Sequence, residues 1–240
     1  MTKTEIIEKM MNFGLTRQEA TIYGCLLQNA EITGYEVAKQ TGISRSNVYN
    51  ALAGLIEKGA AYLCEGMSSK YVPVPIGEFC DNKLRELGED KRYLIENVKR
   101  TEEQTEGYIT IRGIKHITNK IYQCLQMAEF RIYFYGPARW ILRWEEQILE
   151  LIQKGIKVVL MSDQRLEIPG CIVYEVVEPM RQQIRLIIDS RYVLTGMVTD
   201  SEEDTCLYSG QETFVNVLKD ALRNEIKLIE LTAQTKSDRA

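Results

Sequence analysis

Residues 44 to 50 read Ser-Arg-Ser-Asn-Val-Tyr-Asn, a run of short hydrogen-bonding side chains around one guanidinium. Arginine and asparagine can each offer paired hydrogen bonds to a base edge, while serine and tyrosine hydroxyls reach phosphate oxygens. Arg45, Asn47 and Asn50 are therefore candidate base readers. Ser44, Ser46, Tyr49 and Lys58, with Ser69 and Lys70 further along, are candidates for holding a nucleic-acid backbone. This chemistry works only if one rigid element carries the set on a single outward face.

The flanking sequence predicts such an element. Three helix starts follow one another, each announced by a cap and each stopped by a glycine. Thr16 with Glu19 and Thr33 with Glu36 have capping-box spacing, and Leu15–Ala20 and Ile32–Val37 are placed as hydrophobic staples. The third start is Ser44, stapled by Ile43 and Val48, in a helix running to Lys58 before a left-handed stop at Gly59. Only Thr41, Gly42 and Ile43 join the second and third helices, so the two must cross steeply, as in a helix-turn-helix. Val48, Leu52, Leu55 and Ile56 form the expected buried stripe, which turns Ser46, Asn50 and Ala53 outward. Two short apolar runs, 60–64 and 71–74, then flank a polar tip at 65–70 and read as a hairpin, the wing of a winged helix.

The run Leu15-Thr-Arg-Gln-Glu-Ala-Thr-Ile-Tyr23, then Tyr35-Glu-Val-Ala-Lys39, Gly42-Ile-Ser-Arg-Ser-Asn-Val-Tyr49, Leu52, Leu55, Lys58-Gly59, and Lys70-Tyr71 before Pro73 and Pro75 resembles the N-terminal domain of the TrmB family of transcriptional regulators. The resemblance implies sequence-specific binding of double-stranded DNA by a homodimer, with control by a small molecule in some members. Two other classes stay open. A small winged helix also serves as a protein-interaction module without a DNA target, and an enzyme reading would require turnover by the C-terminal half.

Charge qualifies the DNA reading. Residues 1–75 hold seven Lys and Arg against seven Glu, so this segment is neutral, and the whole chain carries a formal charge of -4. A neutral reader makes few phosphate contacts and gains more from being doubled. Arg45, Lys58 and Lys70 nevertheless sit on the helix and wing that would meet a duplex. The six cysteines, at 25, 64, 80, 124, 171 and 206, include no Cys-x-x-Cys pair, and there is one histidine. No metal site or cofactor is expected, and most cysteines should be small buried hydrophobes, with Cys64 and Cys80 exposed enough for oxidation. The N-terminus has no apolar signal core and no run approaches a membrane span, so a cytoplasmic protein without a membrane partner is expected.

The predicted fold class is α+β: an N-terminal winged helix-turn-helix over 1–75, a coiled-coil dimerisation helix over 76–107, an α/β domain over 108–231 and a disordered tail over 232–240. A helix over 2–13 precedes the core motif, with Thr2 and Glu5 as its box. Cys80, Leu84, Leu87, Lys91, Leu94, Val98 and Thr101 keep three-four spacing, the seam of a short coiled coil. Leu84, Leu87, Leu94 and Val98 are its expected dimer contacts. Beyond 107, strands and helices alternate, which implies a mainly parallel sheet with a hairpin about Asp189-Ser190-Arg191 and a closing helix over 211–231.

This order resembles the phospholipase D-like domain that TrmB relatives carry. Active members use a His, a Lys two residues on and an Asp five beyond; aligned on Asp189, this chain offers Gln182, Ile184 and Asp189. Phosphoryl transfer through a covalent intermediate needs a nucleophile and cations around the phosphate, so no catalysis and no catalytic residue are expected. His116 falls on an early helix, with Thr118 two residues on. A retired site can still be a pocket, and Tyr135, Arg139, Asp163, Gln182 and Asp189, with Trp140, are candidates for binding an effector. Larger TrmB relatives carry a further sugar-binding region, so sugar sensing is not expected of this chain.

Overall fold

A computed structural model describes residues 2–29, 31–66, 68–98, 107–176 and 182–237. The molecule is α+β and divides into two compact units, Met1–Glu102 and Glu103–Ala240.

The first unit opens with α1 (Lys3–Asn12) and α2 (Arg17–Leu26), each started by a complete capping box, Thr2 with Glu5 and Thr16 with Glu19. A two-residue strand, β1 (Ile32–Thr33), leads into α3 (Gly34–Thr41), whose box is Thr33 with Glu36 and whose stop is Gly42 at φ 71°. Helix α4 (Arg45–Glu57) follows, then β2 (Ala61–Cys64) and β3 (Lys70–Pro73). The staple residues Leu15, Ala20, Ile32, Val37 and Val48 are all buried in one core with Ile22, Tyr23, Leu26, Leu52 and Leu55. Two expectations fail locally. Helix α2 ends at Leu26 without a glycine, because Gly24 stays helical inside it, and Ser44 makes no side-chain cap hydrogen bond to α4. The wing is a three-stranded sheet in the order β1-β3-β2, in which Ile32 pairs with Tyr71 and Thr33 with Lys70.

Helix α5 (Ile76–Asn97) closes the unit. At 1.5 Å per residue its length is about 33 Å. It stops short of the predicted boundary at 107: Val98 is already extended, at φ -88° and ψ 103°, and lies outside the helix. Thr101 lies outside the described residues. Phe79 is the one fully buried residue of α5, packed edge-on against Tyr23 at 5.5 Å.

The second unit is a seven-stranded sheet covered on both faces. In chain order it comprises β4 (Ile109–Arg112), α6 (Ile114–Gln126), β5 (Arg131–Tyr135), α7 (Ala138–Ile141), a 3-10 turn (Leu142–Trp144), α8 (Glu145–Gln153), β6 (Lys157–Ser162), β7 (Ile172–Glu175), β8 (Gln183–Ile188), β9 (Tyr192–Met197), β10 (Thr205–Ser209) and α9 (Glu212–Ser237). The strand order is β4-β10-β9-β8-β5-β6-β7. Only β5-β6 and β6-β7 are parallel, so the expectation of a mainly parallel sheet is wrong. Short turns after β8 and β9 send each strand back beside its predecessor, and short turns permit only antiparallel pairing. One face packs Ile132, Phe134, Leu160, Ile184, Leu186 and Leu194 against Ile117, Ile121, Trp140 and Ile148. The other packs Tyr135, Met161, Ile187 and Val193 against Val215 and Leu222 of α9. That helix continues through Ser237, so residues 232–237 are helical where a disordered tail was expected; 238–240 lie outside the described residues.

Two cysteines, Cys124 and Cys206, are fully buried, three are intermediate and Cys64 is exposed, so fewer are core residues than the sequence suggested. Burial pushes the Cys206 thiol up to about 12 and the Cys80 thiol above its ordinary value, which disfavours reactive thiolate at either. Among the described residues no helix is long and apolar enough to cross a membrane, and no cluster of His, Cys, Asp and Glu could hold a metal ion.

Candidate nucleic-acid interface

Helix α4 is fixed by its buried stripe and by two close approaches. Val48, Ala51, Leu52 and Leu55 are buried, whereas Ile56 is 37% exposed. Ile56 sits about 80° round the helix from Val48, which puts it at the rim, and Ala51 fills the stripe on the other side. Near the helix start, the Tyr49 ring stands over Gly34 of α3, where an added Cβ would meet Tyr49 Cε1 at 2.6 Å. Near its end, Glu19 of α2 lies against Gly54, where a Cβ would collide with the carboxylate.

Glu19 does more than cap α2. Its Oε2 accepts from Thr16 N at 2.6 Å and from Lys58 Nζ at 2.6 Å, and the same ammonium donates to Gly14 O at 3.0 Å. Burial pushes the Glu19 carboxyl up, but the hydrogen bonds from Lys58 and Thr16 outweigh it and the net shift is down. This contradicts the expectation that Lys58 holds DNA: its charge is committed to locking α4 onto α2.

The outward face of α4 is uncovered. Arg45, Ser46, Asn47, Tyr49, Asn50 and Ala53 are all exposed. Asn47 and Asn50 make no side-chain hydrogen bond among the described residues, so both amides are open to a ligand. The Arg45 guanidinium lies 4.5 Å from the centre of the Tyr35 ring, a cation–π contact that limits its rotamers without using its donors. Tyr35 belongs with the face, and the sequence reading missed it; its signal was an aromatic at the second position of a capped helix, turned away from the apolar stripe. Ser44 and Ser46 hydroxyls lie 3.4 Å apart. On the wing, Ser69 is exposed and Lys70 pairs with Glu31 at 3.2 Å, both partners about half exposed. An exposed pair of this kind contributes about 0–1 kcal/mol and yields readily to a phosphate. Pairing of Thr33 with Lys70 ties the wing base to the start of α3.

The apolar seam of α5 is also open. Leu84, Leu87 and Leu94 are 50–58% exposed, with Tyr93 and Ile95 beside them. Val98 is exposed too, past the helix end.

In the second unit the effector candidates separate into two places. Tyr135 ends β5, Arg139 donates to Gln182 Oε1, and Asp163 accepts from Ala138 N at 2.8 Å, so these four residues share one end of the sheet. Asp189 is at the other end of β8. Its carboxylate accepts from Glu129 N, Phe130 N and Arg131 N, each at 2.8 Å. Burial raises its pKa, but the three amides outweigh it and hold the carboxyl below its ordinary value. Asp189 is therefore a clamp on the start of β5, not an effector ligand. His116 is exposed on α6, and Ile184, at the lysine position of the phospholipase D pattern, is buried in the core.

Residues 10–77 match the family described as sugar-specific transcriptional regulator TrmB. An uncharacterized Bacillus subtilis protein, YrhO, is 28% identical over 163 residues, which are 67% of this chain and 59% of that protein. The HTH-type sugar sensing transcriptional regulator TrmBL1 of Pyrococcus furiosus is 34% identical over 86 residues, 36% of this chain and 25% of that one. The chain thus spans less than two thirds of either relative. Among solved structures, TrmBL2, an archaeal chromatin protein described as showing a novel mode of DNA binding, is similar over 95% of this chain and 99% of its own, at 18% identity and a TM-score of 0.44.

Proposed function

We propose, from the premise that this chain belongs to the TrmB family of transcriptional regulators through residues 10–77, that it binds duplex DNA sequence-specifically as a homodimer in the cytoplasm. The observation that carries the reading is the bare outer face of α4, where a guanidinium and two unengaged carboxamides stand on a helix clamped at both ends. Such a face matches the major groove, in which Arg pairs with guanine and Asn with adenine. Arg45, Asn47 and Asn50 read bases; Ser44, Ser46, Tyr49, Ser69 and Lys70 hold the backbone. Lys58 takes no part. Neutral charge over 1–75 makes a single head weak, and the open Leu84, Leu87 and Leu94 stripe supplies the second head by pairing with the same helix of another copy.

The C-terminal domain is the ligand-responsive half and has no phosphodiesterase activity, since Gln182 and Ile184 stand where a nucleophile and a phosphate-binding lysine are needed. Selection of bound fragments from random duplexes by the full-length chain tests the central reading. An enriched inverted repeat is the expected outcome; a pool with no enriched sequence would overturn it.

A further inference from the structure

Helix α9 carries Lys219, Arg223 and Lys227 at four-residue intervals, so three cations stack along one face. Like charges at that spacing destabilise a helix by about 0.2–0.5 kcal/mol per pair, and this occurs in a chain whose net charge is -4. Arg223 has an exposed partner in Asp220 at 2.9 Å. Lys219 and Lys227 have no carboxylate within ion-pair distance among the described residues, and neither has Arg131 at the start of β5.

These four cations line one groove of about 390 Å³ between α9 and the sheet. Leu222, Ile226 and Tyr133 add an apolar portion to its lining. Ser190, in a left-handed turn at φ 56°, also lines the groove. The volume is within the range of small-molecule sites, about 300–1,000 Å³. The groove lies at the Arg131 end of the sheet, opposite Tyr135, Arg139, Asp163 and Gln182, so it is not the remnant of a phospholipase D-type site.

We propose that this groove binds an organic phosphate: the lysines and arginines take the phosphate and the apolar portion of the lining takes the carbon body. Lysine and arginine are the side chains that hold phosphate by charge and by forked hydrogen bonds. Apolar residues beside the cations suit a compact carbon skeleton better than a nucleic-acid backbone, whose contacts are polar ones to phosphate and sugar. The single acid on the lining, Glu230, already accepts from Tyr174 at 3.0 Å. The inference rests on the ligand-responsive reading of the C-terminal domain and needs no DNA.

Calorimetric titration of the DNA-free, full-length chain tests it, with phenyl phosphate, inorganic phosphate and phenol as probes. Phenyl phosphate is expected to bind one to one with Kd below about 1 mM, at least tenfold more tightly than inorganic phosphate, and phenol not at all. Lys219→Gln with Lys227→Gln should weaken phenyl phosphate at least about tenfold at a melting temperature no lower than that of wild type, while Lys154→Gln, exposed just past α8, should leave binding unchanged. Absence of heat at about 10 mM phenyl phosphate, or equal binding by wild type and double variant, would overturn the proposal. A double variant that loses affinity only for random duplex would do the same and assign the groove to nucleic acid. Failure of the DNA reading leaves the titration unaffected.

Discussion

Helices α4 and α5 solve opposite problems. Helix α4 buries Val48, Ala51, Leu52 and Leu55 within its own unit and shows water a polar face. Helix α5 is nearly twice as long, buries only Phe79 fully, and shows water three leucines, a tyrosine and two isoleucines. A helix that satisfies its apolar side internally is held rigidly enough to present hydrogen-bonding groups, and its partner must be polar. A helix with an unsatisfied apolar stripe suits an apolar partner, and in the proposed homodimer that partner is the same helix of a second copy. Under the proposed function, reading and pairing fall to different helices of one unit.

The contrast can be broken at four points. The largest effect is expected from Leu52→Ala, which should lower unfolding free energy by about 2–5 kcal/mol, since it opens a cavity in a closed core. Leu84→Ala, measured in dilute protein, should cost less than about 0.5 kcal/mol, as surface changes do. Denaturant titration separates the two, and equal losses would mean that α5 is packed as α4 is. Next, Leu87→Asp with Leu94→Asp should convert dimer to monomer by sedimentation, weakening association by roughly a hundredfold or more, while the melting of the monomer stays put; an unchanged dimer would put the pairing surface elsewhere.

Asn50→Ala should remove about 1–3 kcal/mol of discrimination at one base position, read by comparing specific with random duplex, whereas Lys70→Ala should weaken both alike. Matching losses for the two variants would contradict separate reading and holding roles. The smallest effect concerns the clamp. The Glu19 carboxyl is held below its ordinary 4.5, so its contribution is complete above that value and is lost as pH falls through the lower folded value. Glu19→Gln should lower stability at neutral pH by on the order of 1–2 kcal/mol, and wild type and variant should converge below pH 4. A constant gap across acid pH would deny the carboxylate its role.

What the sequence made legible is what is decided locally. Thr2, Thr16 and Thr33 cap helices through residues three positions away, and the staples around them need no distant partner. The exposed set on α4 followed from a stripe only 13 residues long. What escaped depends on contacts across the chain. Lys58 meets Glu19 from 39 residues away, so its loss to the interface left no local trace, and β1 exists only because Tyr71 and Lys70 return beside it. Asp189 looked like a ligand because its three amide donors, at 129 to 131, are brought near by a turn of the sheet. Ile56 was misplaced by a stripe read a few tens of degrees too wide.

The seating of α4, with Tyr49 over Gly34 of α3 and Gly54 against Glu19 of α2, bears on retargeting. Residues 45, 46, 47, 50 and 53 are exposed and can be exchanged as a cassette, with Tyr35 as the neighbour that any replacement for Arg45 has to fit. A Cβ at position 54 would have to displace the Glu19 carboxylate, and one at position 34 the Tyr49 ring. A foreign helix grafted onto this scaffold therefore keeps the Glu19–Lys58 lock undisturbed only if it carries glycine at position 54, and alanine there would push the carboxylate away from its seat.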